Sequence, residues 1–181
     1  MTRPKRLPPW HEHFRLPSGR ELLIRPIRPE DAGPIQGAFA LLEPEEIRQR
    51  FLVDLREFTP EMAQRLAQPD PQAEFVLVAA EPLPPGEALV GAVARAALVP
   101  RTRQAEFTIL VSHFIAAQGL GRHLMRRLAK WARSRKLDGL YGDVLDSNEP
   151  MLQLADSLGF RRQPGESPGL VRVVLDLNDE A

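Results

Sequence analysis

Cysteine is absent from the 181 residues. That excludes disulfides, zinc sites built on thiolates and any acyl-cysteine intermediate. A charge excess is absent too, since 24 Lys and Arg balance 24 Asp and Glu. Such a balance gives no general attraction to nucleic acid or anionic lipid, and neither is expected as a partner. No apolar run is long enough to cross a bilayer. The basic start Met1-Thr2-Arg3-Pro4-Lys5-Arg6 meets Pro8, Pro9, Trp10 and His11 instead of an apolar stretch. This argues against a signal peptide and for a cytoplasmic protein. Repeats and low-complexity runs are also missing. The composition, 43% hydrophobic and 27% charged, is that of a globular protein with room for one well-filled core. Its 18 prolines fall between apolar segments and read as firm turns.

Residues 1 to 10 read as a tail. His11 to Leu16 and Arg20 to Arg28 form a hairpin about Pro17-Ser18-Gly19. Pro29-Glu30-Asp31 then opens a helix to about Leu42, because proline and acids suit the free N–H groups and positive dipole of a first turn. Helices are predicted over Glu43 to Leu52 and Thr59 to Gln68, the latter capped by Thr59 with Pro60 behind it. Strands follow at Phe75 to Ala79, Ala88 to Val99 and Ala105 to Ser112. In the last, Phe107, Ile109 and Val111 share one face, and Glu106, Thr108 and Leu110 the other. Leu120, Leu124, Leu128, Trp131 and Ala132 recur at helical spacing over Gly119 to Lys136. A strand at Leu140 to Leu145, a helix from Glu149 that Gly159 ends, and a strand at Val171 to Leu177 complete the pattern. The class is α+β, or α/β in looser usage.

The stretch Val111-Ser112-His113-Phe114-Ile115-Ala116-Ala117-Gln118-Gly119-Leu120-Gly121-Arg122 takes a strand through a glycine turn into a helix. Helix N-termini present unpaired N–H groups and partial positive charge, so phosphate binds there. Glycine lets a ligand approach the backbone, and Arg122 and Arg126 add charge. A Gly-x-Gly pair alone is often only a tight helix start. Its context is a second strand, Leu140 to Leu145, followed by Asp146-Ser147-Asn148 and a helix ending Leu158-Gly159-Phe160. No Lys-Ser or Lys-Thr pair follows Gly121, so a P-loop is disfavoured.

On these residues the chain resembles the GNAT superfamily of acyl-CoA-dependent N-acetyltransferases. Gly119 and Gly121 occupy the small positions of that family's pyrophosphate motif. Val111 matches its strand-end valine, Asn148 the asparagine of its last CoA-side helix, and Leu158-Gly159-Phe160 the usual ending of that helix. The run Ile24-Arg25-Pro26-Ile27-Arg28-Pro29-Glu30-Asp31 matches its first strand and helix. Ser18-Gly19, Arg50-Phe51, Ala105-Glu106-Phe107 and Asn148-Glu149-Pro150-Met151-Leu152 resemble, more narrowly, the acetyltransferase domain of bacterial protein lysine acetyltransferases.

The resemblance implies a mixed, mainly antiparallel central sheet of about six to seven strands with helices on both faces. It implies residues 1–19 as tail and first hairpin strand, and 20–181 as the acetyltransferase domain. Acetyl-CoA or another short acyl-CoA would be the co-substrate. The residues expected to hold it are Leu110 and Val111 along the pantetheine arm, Ala117, Gln118, Gly119, Leu120, Gly121 and Arg122 at the pyrophosphate, and Asn148. Ala116 departs from the family's Gln or Arg. Ala155 stands where many members carry a tyrosine that protonates the leaving thiolate. A homodimer is common in the family.

An amine acceptor must lose a proton before it attacks. Glu106 is the first candidate base, because burial beside Phe107 would raise its pKa, although an exposed glutamate paired with arginine is an equal reading. Asp143 is the second candidate, and His113 reads as a surface residue. His11 and His13 lack the third ligand of a zinc site, and no metal is expected. The run Arg122, Arg126, Arg127, Lys130, Arg133, Arg135 and Lys136 reads mostly as a solvated helix face. Three functions stay open: transfer to a protein lysine, transfer to a small amine, or non-catalytic CoA binding.

Overall fold

The structure, a computed structural model, describes residues 7–51, 58–112 and 119–178. Along it run β1 (Glu12–Arg15), β2 (Glu21–Pro26), a 3-10 turn (Pro29–Asp31), α1 (Ala32–Phe39), α2 (Pro44–Phe51) and α3 (Pro60–Ala67). There follow β3 (Glu74–Ala80), β4 (Val90–Leu98), β5 (Gln104–Val111), α4 (Leu120–Ser134), β6 (Gly139–Leu145), α5 (Glu149–Ser157), β7 (Arg161–Pro164) and β8 (Leu170–Asp176). The strands form one sheet of eight in the order β1-β2-β3-β4-β5-β6-β8-β7. Its neighbours are antiparallel except β5 and β6, which run parallel.

This is the mixed, mainly antiparallel sheet expected from the sequence, with one strand more. The addition is β7, Arg-Arg-Gln-Pro, exposed at all four positions. It has no apolar alternation to betray it. It lies outside β8 on the sheet edge, where a strand that ends in proline loses no ladder bond.

Period and side-chain size decide the layers. Alternate residues of the strands, among them Phe75, Leu77, Ala94, Ala96 and Phe107, join Leu124, Leu128 and Trp131 of α4 in one core. Small alanines on β4 let the helix sit close. The other alternate set, including Val76, Val78 and Val93, packs with Ile35 of α1 and Ala63 and Ala67 of α3. Leu152 and Ala155 of α5 belong to the α4 side, so helices cover both faces. Thr59 caps α3 as predicted, accepting from Met62 N at 3.1 Å.

The N-terminal segment is more than a tail at its end. Trp10 lies 4.8 Å from Phe75 between ring centroids, and Phe75 stacks on Trp131 at 5.4 Å and 6°. Such rings bury large area and favour these separations. Glu12 of β1 accepts hydrogen bonds from His123, at 2.5 Å, and from Arg127, both on α4. Burial, helped by Arg126, holds His123 below its usual pKa, and Arg127 supplies the formal charge beside Glu12. Arg127 also lies over the Trp10 ring at 5.3 Å. It therefore leaves the solvated row in which the sequence placed it.

The Arg-Pro-Ile-Arg-Pro-Glu-Asp run is tied by a buried ion pair. Arg25 donates to both Asp31 oxygens at 2.7 and 2.8 Å, and Arg28 N donates to Asp31 at 2.7 Å. Asp31 is fully buried and Arg25 2% exposed. The three bonds fix the turn that launches α1.

Candidate active site

The sheet opens where its single parallel pair stops. β5 and β6 pair only at Gln104–Gly139, Ala105–Leu140 and Glu106–Tyr141. Beyond these, β5 stays on β4 as far as Val111 and β6 stays on β8 as far as Leu145. Between them lies a wedge with polar backbone on both sides, at the carboxyl ends of two parallel strands. Ligands of open α/β sheets bind in such a crevice, and an extended ligand can add to exposed strand backbone.

Phe107 sits at the base of this wedge. Its ring lies so near Gly142 that a Cβ there would fall 2.7 Å from it. On another side it meets Phe160 edge-on at 5.7 Å. A large ring across from glycine lets the two strands diverge without a void.

Gly119 is the N-cap of α4 with φ of 85°, a left-handed conformation that favours glycine. It has no side chain with which to cap the helix. The N–H groups of Leu120, Gly121 and Arg122 belong to the first turn, which has no earlier carbonyl to receive them. A Cβ on Gly121 would point between Leu154 of α5, at 3.5 Å, and Val111 of β5, at 3.9 Å. Those are ordinary contacts, so protein packing does not demand glycine at 121. The Leu120 side chain is buried in the core, so only its backbone faces a ligand. Ala117 and Gln118 lie outside the described residues, as do His113 and Ala116.

Asn148 caps α5, its Oδ1 accepting from Met151 N at 3.3 Å. Its amide NH2 is not used in that bond. Ala155 is fully buried and brings no proton donor.

Glu106, Thr108 and Leu110 project from β5 on the side away from α4. Glu106 is exposed, not buried beside Phe107 as the sequence suggested. It accepts from the Tyr141 hydroxyl at 3.4 Å. Burial first, and then Glu106, push the Tyr141 phenol above its usual pKa. Asp143 is held by Arg172, which donates to both carboxylate oxygens at 3.1 Å. Those bonds raise the Arg172 pKa, and the guanidinium lies 4.5 Å over the Tyr141 ring. A carboxylate with both oxygens in a fork–fork pair is a poor proton acceptor. The sequence reading missed Tyr141 and Arg172. Each occupies an ordinary strand position, and only the β5–β6–β8 register brings them beside Glu106. Thr108 Oγ1 is buried with no hydrogen-bond partner among the described residues.

On this same side a cavity of about 420 Å³ lies at the end of β5, between α1, Phe58 and the start of β4. Leu110 and Ser112 form one wall, Phe39 and Phe58 another. The two phenylalanines stack at 5.3 Å. Among the described residues, no group of histidines and acids able to hold a metal occurs, and no helix is long and apolar enough to cross a membrane.

A model of the Acetyltransferase (GNAT) family matches residues 41–160. An acetyltransferase of Pseudomonas aeruginosa is 29% identical over 158 residues, covering 86% of this chain and 84% of that protein. Among solved structures, the GNAT domain of S. lividans PAT superposes with a TM-score of 0.81 at 21% identity, over 94% of this chain and 99% of that one. A cAMP-binding acyltransferase from Mycobacterium smegmatis gives 0.62 at 22% identity, over 93% of this chain but 48% of that one.

Proposed function

The chain belongs to the GNAT acetyltransferase family, and from that premise we propose that it moves an acetyl or other short acyl group from acyl-CoA to a primary amine. The wedge between β5 and β6 is the observation that carries this reading. An extended arm bearing amides suits the unpaired backbone along Leu110 and Val111. A pyrophosphate suits the first turn of α4, where Gly119, Leu120, Gly121 and Arg122 offer N–H groups and Arg122 adds charge. The path would run past Gly121, whose backbone carries no side chain beside Val111 and Leu154. Ala117 and Gln118 are proposed to continue the cradle, and Asn148 to lend its free amide. Acyl-CoA supplies an activated thioester. The chain orients it and handles the acceptor's proton.

Proton removal falls to Glu106. An alkyl ammonium, with a pKa of about 10.4 for lysine, arrives charged at neutral pH, and a base must act directly or through water. Glu106 has an open approach, whereas both oxygens of Asp143 are taken by Arg172. The Tyr141 hydroxyl, donating to Glu106 at 3.4 Å, steadies the Glu106 carboxylate. Without cysteine, attack by the amine on the thioester in a ternary complex is the simplest route. No acid is assigned to the leaving thiolate, whose conjugate acid has a pKa of about 8.5.

Calorimetry with acetyl-CoA tests the reading. Wild type binds one equivalent. Gly121→Ala, which the surrounding protein accommodates, binds more weakly, and Gly121→Trp binds at least tenfold more weakly. Unchanged affinity in both variants places the ligand elsewhere.

A further inference from the structure

The cavity at the end of β5 lies on the face of the sheet that bears α1 and α3. The proposed passage for acyl-CoA, from Gly121 between Val111 and Leu154, lies on the face that bears α4 and α5. The two faces communicate where β5 and β6 part. Room for a second molecule therefore exists beside the strand end that the acyl-CoA path follows.

Its chemistry follows from the walls. They are almost wholly apolar, with the stacked Phe39 and Phe58 as the largest surfaces. Among the described residues, Arg20 is the one charged member of the lining. A cation at the rim repels a second ammonium, so a polyamine is a poor occupant. No carboxylate among the described lining residues draws an ammonium inward, so the charged end of an amine points out of the cavity. The volume, about 420 Å³, falls in the range of pockets that enclose whole small molecules.

Gly37 supplies an independent sign. It lies inside α1 and lines the cavity. A Cβ there would meet nothing within 4 Å, and its backbone has no left-handed φ. Neither packing nor conformation calls for glycine, which costs a helix about 1 kcal/mol against alanine. What the glycine does is keep the cavity wide.

We propose that this cavity binds the apolar body of the acceptor, so that the enzyme acylates hydrophobic primary amines in preference to polyamines. The proposal rests on the acyl-transfer reading and goes beyond it in naming the acceptor class. Glu106 takes one proton from the ammonium, the freed amine nitrogen bonds to the acyl carbon, the carbon–sulfur bond breaks, and the second proton leaving the nitrogen goes to the departing CoA thiolate, which is released as the thiol.

The test uses 2-phenylethylamine and spermidine with acetyl-CoA, followed by release of the CoA thiol. Wild type is expected to favour 2-phenylethylamine at least tenfold in kcat/KM. Gly37→Leu, which fills the cavity, raises KM for that amine at least tenfold and leaves KM for acetyl-CoA unchanged. Gly37→Ala gives a smaller rise. Both variants melt no lower than wild type, since each improves the helix. Calorimetric titration of wild type with 2-phenylethylamine shows binding that Gly37→Leu loses. Preference for spermidine, absence of 2-phenylethylamine binding, or an unchanged KM in Gly37→Leu overturns the proposal. So does a changed preference among acetyl-, butyryl- and octanoyl-CoA in Gly37→Leu, which assigns the cavity to the acyl chain. Failure of the underlying reading looks different, because acetyl-CoA itself then does not bind.

Discussion

Replacing Gly142 by alanine places a methyl group 2.7 Å from two carbons of the Phe107 ring and 2.9 Å from a third. Carbon atoms attract best at about 3.5–4.0 Å, so the ring must retreat by roughly an ångström. It has little freedom to do so, being 4% exposed and set edge-on against Phe160. Overpacking of this kind costs about 1–3 kcal/mol. In a chain of this length that lowers the melting temperature by roughly 2–12 °C. Phe107→Leu alone leaves a cavity and also destabilises. Joined to Gly142→Ala it returns space to the new methyl, so the double variant should be more stable than the sum of the single losses predicts, a positive coupling. Urea unfolding of the four proteins measures all three differences. If Gly142→Ala unfolds within 0.5 kcal/mol of wild type, or the two changes are additive, the reasoning about the base of the wedge is wrong.

Glu106→Gln keeps shape and removes basicity, and is expected to lower turnover about a hundredfold at pH 7 with acetyl-CoA binding unchanged; the deficit shrinks as pH rises toward the amine's own pKa, and full activity at pH 7 dismisses Glu106 as base. Asp31→Ala strands Arg25 in the core and should cost about 3–5 kcal/mol in chemical denaturation, whereas Arg25→Met with Asp31→Leu recovers most of it; a mild single variant contradicts the role given to the pair. Asn148→Ala removes the cap of α5 and should cost about 1 kcal/mol, so an unchanged melting midpoint denies the cap.

What sequence reading reached, and what it missed, divides by the range of the interaction. Thr59 and Asn148 announce their helices because a cap is made within three residues. Phe107, Ile109 and Val111 were assigned to one face because strand alternation is local. The glycine turn before α4 was legible for the same reason. Trp10 reads as tail because its partner Phe75 is far along the chain. Glu12 meets Arg127 across 115 positions, and nothing local marks either. Asp143 looked like a free carboxylate until β8 laid Arg172 beside it. The wedge depends on where a parallel pair stops, which composition and periodicity do not encode.

The short parallel contact also divides the molecule dynamically. On one side lies a continuous ribbon from β1 to β5, and on the other β6, β8 and β7, with three paired positions of backbone between them. Regions with few shared hydrogen bonds open below the free energy of global unfolding, so this seam is the line along which native-state hydrogen exchange should first distinguish two cooperative units. A ligand lying in the wedge bridges both. Its binding free energy is then spent partly on fusing two foldons into one, and the breadth of amide protection it confers would extend well beyond the residues it touches.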